Sequence, residues 1–298
     1  MPDLPLPSLP DEQHLRPDLA DLKRRLALWI GLPAILAVAY ALAGGGQQVS
    51  GTVVLGLVAS FAAVAAALFL TSARSLRKFT VANAAASALV FEGKLAEACQ
   101  AFEANARRFR APALHPISVF NLADTEMLRG HLARALSLAG AVAIHKSPLR
   151  SPLVAASAPS LVASCYALLG DLAAARAWMP EAERAGATIA VEVARVPEAI
   201  LLCREGRFEE LLRCMAERRR AIEATLAGDD LRTMRLLRAF ALCMLPNASD
   251  AERAEALAAG RPGAPGECDH LAAAWPELAA FLKARGFAGE GAPSAKAT

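Results

Sequence analysis

Two stretches of the chain, Leu26–Ala43 and Val53–Leu70, contain no charged residue, whereas from Val81 onward apolar residues recur at helical spacing between single glycines. Each uncharged run is 18 residues long. At about 1.5 Å rise per residue that is roughly 27 Å of helix, close to a hydrocarbon core of about 30 Å. Two adjacent runs of this length are hard to bury inside a chain of 298 residues. The pattern therefore predicts a two-helix transmembrane hairpin over residues 26–70, turned by the uncharged, glycine-rich link Gly44–Thr52. Neither run contains an ionisable residue of the kind that proton relays and ion-coupled transporters place in the membrane, which argues against transport.

The second half follows a different rule. Four segments align on a turn glycine: Gly93-Lys94-Leu95, Gly130-His131-Leu132, Gly170-Asp171-Leu172 and Gly206-Arg207-Phe208. The glycines lie 37, 40 and 36 residues apart, and each is followed two residues later by Leu or Phe and five later by Ala or Leu. An alanine stands seven residues before each: Ala86, Ala123, Ala163 and Ala199. A left-handed glycine ends one helix and starts the next, and a small residue in the first helix lets the second cross close to it. One such pair cannot bury its apolar face alone, so neighbouring pairs stack. Beyond the fourth unit, Asp229–Leu245 is expected to be an amphipathic helix, and Ser249–Ala259 and Pro276–Arg285 shorter ones around the linker Gly260–Glu267, with Pro276 starting the last helix and Gly286 capping it. These are expected to cap the open end of the stack.

The phased glycine, alanine and leucine positions resemble the tetratricopeptide repeat, a helix-turn-helix unit of about 34 residues. The resemblance covers about residues 81–226. Tyr166, four before Gly170, matches the family's aromatic position, while Leu89, Glu126 and Leu202 depart from it; the family's early tryptophan is missing, and its closing proline is met only near Pro148. The fold class expected is all-α: a membrane hairpin followed by a right-handed α-solenoid of about four helix pairs over 81–245, capping helices over 246–286 and a disordered tail over 287–298. Relatives of this kind bind peptides or protein helices in a concave groove lined by the first helix of each pair. The resemblance places that groove at Asn83 and Ser87, Phe120 and Asp124, Ser160 and Ser164, and Val196 and Ile200, ten and six residues before each glycine. Packing between repeats is the competing role for these positions. The groove lacks the basic cluster with which some relatives clamp a C-terminal carboxylate.

Composition agrees with both halves. Hydrophobic residues make up 55% of the chain, charged residues only 20%, and the mean hydropathy is +0.33, high for a protein wholly in water. Alanine dominates and aromatics are 5%, which favours helix over strand. The alanine- and arginine-rich bias suggests a bacterium with GC-rich DNA. A net charge of +3, with Arg218, Arg219 and Arg220 as the tight basic run of the repeat region, is too scattered for a nucleic-acid footprint, so no nucleic acid partner is expected.

The flanks orient the hairpin. Lys23, Arg24 and Arg25 precede the first run and Arg74, Arg77 and Lys78 follow the second, which places both ends on the cytoplasmic side of the plasma membrane, the inner membrane of a bacterium. Residues 1–25 contain five prolines and five acids, unlike the basic leader of a cleaved signal, and Pro2, Pro5, Pro7, Pro10 and Pro17 suggest a solvated, mostly disordered arm, a docking peptide being the alternative. Six cysteines without a C-x-x-C pair read as reduced, buried thiols.

Candidate chemistry is sparse. None of the five histidines pairs at metal-ligand spacing on one helix face, and Cys268-Asp269-His270, the nearest approach, falls in a stretch expected to be flexible. There is no G-x-S-x-G, phosphate-binding loop or G-x-G-x-x-G. The sequence therefore predicts no enzyme, catalytic residue, metal, cofactor or small-molecule substrate. The expectation is a membrane-anchored adaptor with a protein or peptide partner, itself membrane-associated; the alternative is an accessory or assembly subunit whose hairpin makes the key contacts.

Overall fold

In a computed structural model the described residues are 4–16, 73–145 and 151–289. They are all-helical. Both uncharged runs, 26–43 and 53–70, lie outside them, as does the tail from residue 290. Thirteen α-helices are found among the described residues: α1 (73–91), α2 (Leu95–Arg108), α3 (His115–Leu128), α4 (Leu132–Ile144), α5 (Pro152–Leu169), α6 (Leu172–Ala187), α7 (Arg195–Arg204), α8 (Phe208–Glu217), α9 (Arg219–Thr225), α10 (Gly228–Met244), α11 (Asp250–Ala259), α12 (Asp269–Ala272) and α13 (Pro276–Ala284).

The first eight helices form four pairs joined at the expected glycines. Gly93, Gly130, Gly170 and Gly206 all have left-handed backbone, with φ of 74°, 77°, 90° and 72°. Each turn makes the same two hydrogen bonds, from the glycine N–H to the carbonyl three residues back and from the next N–H to the carbonyl five back. At Gly170 these run to Ala167 (3.1 Å) and, from Asp171, to Tyr166 (3.0 Å). This reciprocal pair satisfies two carbonyls that a helix end otherwise leaves open. The four alanines seven residues earlier are buried to within 1% of full burial, as are Ala98, Ala135, Ala175 and Leu211 five residues after the glycines. Successive helices then pack in chain order, with α5 also against α7 and α10 against both α7 and α8.

Helix α5 is long and apolar enough to cross a membrane, yet 72% of it is buried inside the domain between α4, α6 and α7. It is the central core helix of the stack. Among the described residues no other helix meets that length and composition.

Two expectations are corrected. Residues 4–16 are not a solvated arm. They lie across the second helices α2, α4 and α6, with Leu15 fully buried and Pro7 and Pro10 covered. Trp178 Nε1 and Tyr166 Oη both donate to the Pro5 carbonyl, at 2.9 and 3.2 Å. Arg110 and His115 donate to the His14 carbonyl at 2.6 and 2.8 Å, and Arg16 Nε returns to the Pro10 carbonyl at 2.8 Å. A proline-rich segment has few N–H groups of its own but keeps its carbonyls as acceptors, and indole, phenol and guanidinium groups supply the donors. Gly140 in α4 makes room: a Cβ there would stand 2.0 Å from Pro7 Cγ.

Second, the C-terminal helices do more than cap the open end. Phe208, Phe240, Trp275, Phe281 and Phe287 form a chain of edge-to-face ring contacts that fixes α13 on α8 and α10. From there α12 folds back to α3, where Ala273 would meet a Cβ at Gly130. The supposedly flexible Cys268-Asp269-His270 is accordingly ordered, with Cys268 and His270 buried.

Candidate functional site

Phe120 and Asp124 on α3, Ser160 and Ser164 on α5, and Val196 and Ile200 on α7 are each separated by four residues, which puts every pair on one helix face. Stacking of the first helices turns the three faces toward a common cavity of about 370 Å³, and all six residues line it. The other two expected groove positions lie elsewhere. Asn83 accepts from Asn121 Nδ2 at 3.0 Å and ties α1 to α3, and Ser87 is half-buried on α1 outside the cavity. For Asn83, packing between neighbouring helices is the role observed.

The cavity has a wall that sequence spacing did not place. The link Thr225–Ala227, Asp229, Asp230 and Thr233 of α10, and His270 and Leu271 around α12 close the side opposite the first helices. The closing elements come from the fold-back of the C-terminal unit, which carries no repeat signal; the buried position of His270 follows only from packing.

The charges of this cavity are unbalanced. Asp229 pairs with Arg232, which also reaches Glu267 at 3.3 Å. Asp124 has neither an ion pair nor a hydrogen-bond partner among the described residues, and its neighbours include Phe120, Leu161 and Ile200. Burial, followed by repulsion from Asp230 and Asp229, pushes the Asp124 carboxyl up to about 7, although the residue is only half-buried and water reaching the cavity weakens that push. Asp230 is pushed up to about 6, by burial and then Asp229, but the residue is exposed and solvent screening weakens that push. Burial lowers His270, whose Nδ1 donates to the Glu267 carbonyl at 3.2 Å. Ser160, 5% exposed, leaves its Oγ without a hydrogen-bond partner.

No group of three or more histidine, cysteine or acidic side chains suited to a metal ion is found among the described residues. All six cysteines are free thiols. Burial pushes Cys99 up to about 11 and Cys268 up to about 12, and raises Cys165 and Cys203 further, which makes them poor nucleophiles. A second, more open hollow of about 360 Å³ lies beside Gly170 and Gly206, but Arg204, its cation, already donates to the carbonyls of Ala274 and Leu168 and stacks on Trp275. Compared with protein-family models, curated proteins and solved structures, the chain gives no match.

Proposed function

We propose that this protein is a membrane-anchored adaptor in which residues 26–43 and 53–70 form a two-span hairpin and a tetratricopeptide-like domain on the cytoplasmic side of the plasma membrane holds a protein or peptide partner. The observation that carries the reading is the convergence of six groove positions, phased on three turn glycines, on one cavity. A cavity of this size has room for one or two side chains of a partner, as an anchor point within a longer contact requires.

The clasp of residues 4–16 on the helical domain supports the hairpin. Residue 16 precedes both uncharged runs and residue 73 follows them, and one domain holds the chain on either side. Any membrane crossing between them must therefore occur an even number of times. Tethering two partners to one bilayer raises their effective concentration without a new contact, which is the service an anchored adaptor performs.

A second reading, an assembly subunit whose hairpin packs into a larger complex, draws on the outward-facing Leu76, Val81 and Phe91 of α1, the helix that leads away from the second run. Replacing residues 26–70 with an unrelated two-span anchor in the native host separates the two. The adaptor reading expects function to survive the exchange and to be lost in a variant, Phe120→Arg, that puts a bulky cation on the half-buried lining of the groove. Loss on exchange, with Phe120→Arg tolerated, would assign the activity to the hairpin.

A further inference from the structure

Asp124 is half-buried in a largely apolar cavity, with no ion pair or hydrogen bond among the described residues. Isolated buried charges are costly and are ordinarily paired, hydrogen-bonded or given a metal. Here the paired carboxylate is its neighbour: Asp229 has Arg232, while among the described residues Asp124 has no cation and no donor. The cavity also holds a second polar group left unsatisfied among the described residues. Ser160 Oγ is nine-tenths buried and without a partner, on the helix facing Asp124. A carboxylate and a hydroxyl accept together from one donor group that is positively charged. The apolar residues around them, Phe120, Val196 and Ile200, suit a hydrocarbon stem behind that group. Asp230, on the wall that closes the cavity, adds charge of the same sign.

We infer that the cavity reads a basic side chain on an aliphatic stem, a lysine of the partner polypeptide, with Asp124 as the counter-charge, Ser160 as a second acceptor and the Phe120–Ile200 surface as the bed of its methylenes. This rests on the adaptor reading and adds the chemistry of the partner to it. Lysine fits the space better than arginine, because its compact ammonium sits on a flexible four-carbon stem whereas the guanidinium fork requires planar, bidentate acceptors. The side-chain stem would be covered while the ammonium is held, as long basic side chains do at other apolar surfaces.

The test uses the full chain in lipid nanodiscs and isothermal titration with N-acetyl-lysine methylamide, N-acetyl-norleucine methylamide and cadaverine. Norleucine keeps most of the stem and loses the charge. The lysine derivative is expected to bind at least about tenfold more tightly than the norleucine one, the worth of a charge-assisted hydrogen bond. Asp124→Asn should abolish that preference, and Ser160→Ala should reduce it, both with unchanged helical content. Equal binding of the two derivatives, or a lysine preference that survives Asp124→Asn, overturns the inference, as does absence of binding by the lysine derivative. Cadaverine binding more tightly than the lysine derivative would overturn the polypeptide source in favour of a free amine. Failure of the adaptor reading is seen separately, in the hairpin exchange and the Phe120→Arg variant.

Discussion

At the scale of single residues, the shift of Asp124 makes a statement about stability. Its carboxyl is raised in the folded chain above the ordinary value near 4, so the folded state binds a proton more readily than the unfolded state. The sign follows: Asp124 opposes folding least below about pH 4, and the penalty grows as pH rises through about 7. Denaturation at pH 5 and pH 8 should show the wild type losing on the order of 1–3 kcal/mol more than Asp124→Asn over that interval. An equal loss in both would contradict the burial of an unpaired charge. Glu126 makes the opposite case. It stands where the resembling family has an aromatic, and the buried carboxylate accepts from Arg129, three residues on at the end of the same helix, at 3.1 Å and from His131 across the turn at 2.8 Å. Glu126→Ala should cost about 1–3 kcal/mol by chemical denaturation. That Glu126 departs from the family and has an arginine at helical spacing was visible in the sequence, but its compensation by His131 was not, because that partner sits on the far side of a turn.

At the scale of elements, the helix pairs were legible because their signal is local: a glycine that must take positive φ, an alanine that must fit under a crossing helix, and a leucine that opens the next core stripe. Gly206→Ala should destabilise by about 1 kcal/mol through backbone strain alone, since nothing lies within 4 Å of the added Cβ. The helix ends past the fourth pair were also close. Ser249 caps α11 through a reciprocal pair with Glu252, as serine followed three residues later by glutamate allows. The arm was not legible. Its prolines report only that it forms neither α-helix nor strand, and the features that hold it are an arginine, a histidine, a helical glycine, a tyrosine and a tryptophan scattered from residue 110 to residue 178. Gly140→Ala, which drives a Cβ into Pro7, should raise hydrogen exchange and protease cleavage in residues 4–16 while leaving the helical domain's melting temperature within a few degrees of wild type.

For the whole molecule, the groove was partly legible: the repeat phase placed three helix faces, and the C-terminal fold-back, driven by an aromatic cluster of low periodicity, supplied the opposite wall. Topology is tested at this scale too. On a background lacking the native cysteines, single cysteines at Gln13 and Glu255, both exposed, should be protected together from a membrane-impermeant maleimide in intact cells and labelled together after permeabilisation. Labelling of one alone in intact cells would place the two ends in different compartments, contrary to the clasp.

That clasp also has a consequence in time. Pro5 and the indole of Trp178 are 173 residues apart in sequence. At synthesis rates of about 5–20 residues per second, the arm leaves the ribosome on the order of 10 seconds before its seat exists. Both uncharged runs emerge during that wait. Closure is thus a late event, and under the proposed hairpin only a chain that crosses the bilayer an even number of times can complete it: a molecule threaded once would strand its first residues behind the bilayer and leave the tryptophan bare, a flaw that proteases could recognise.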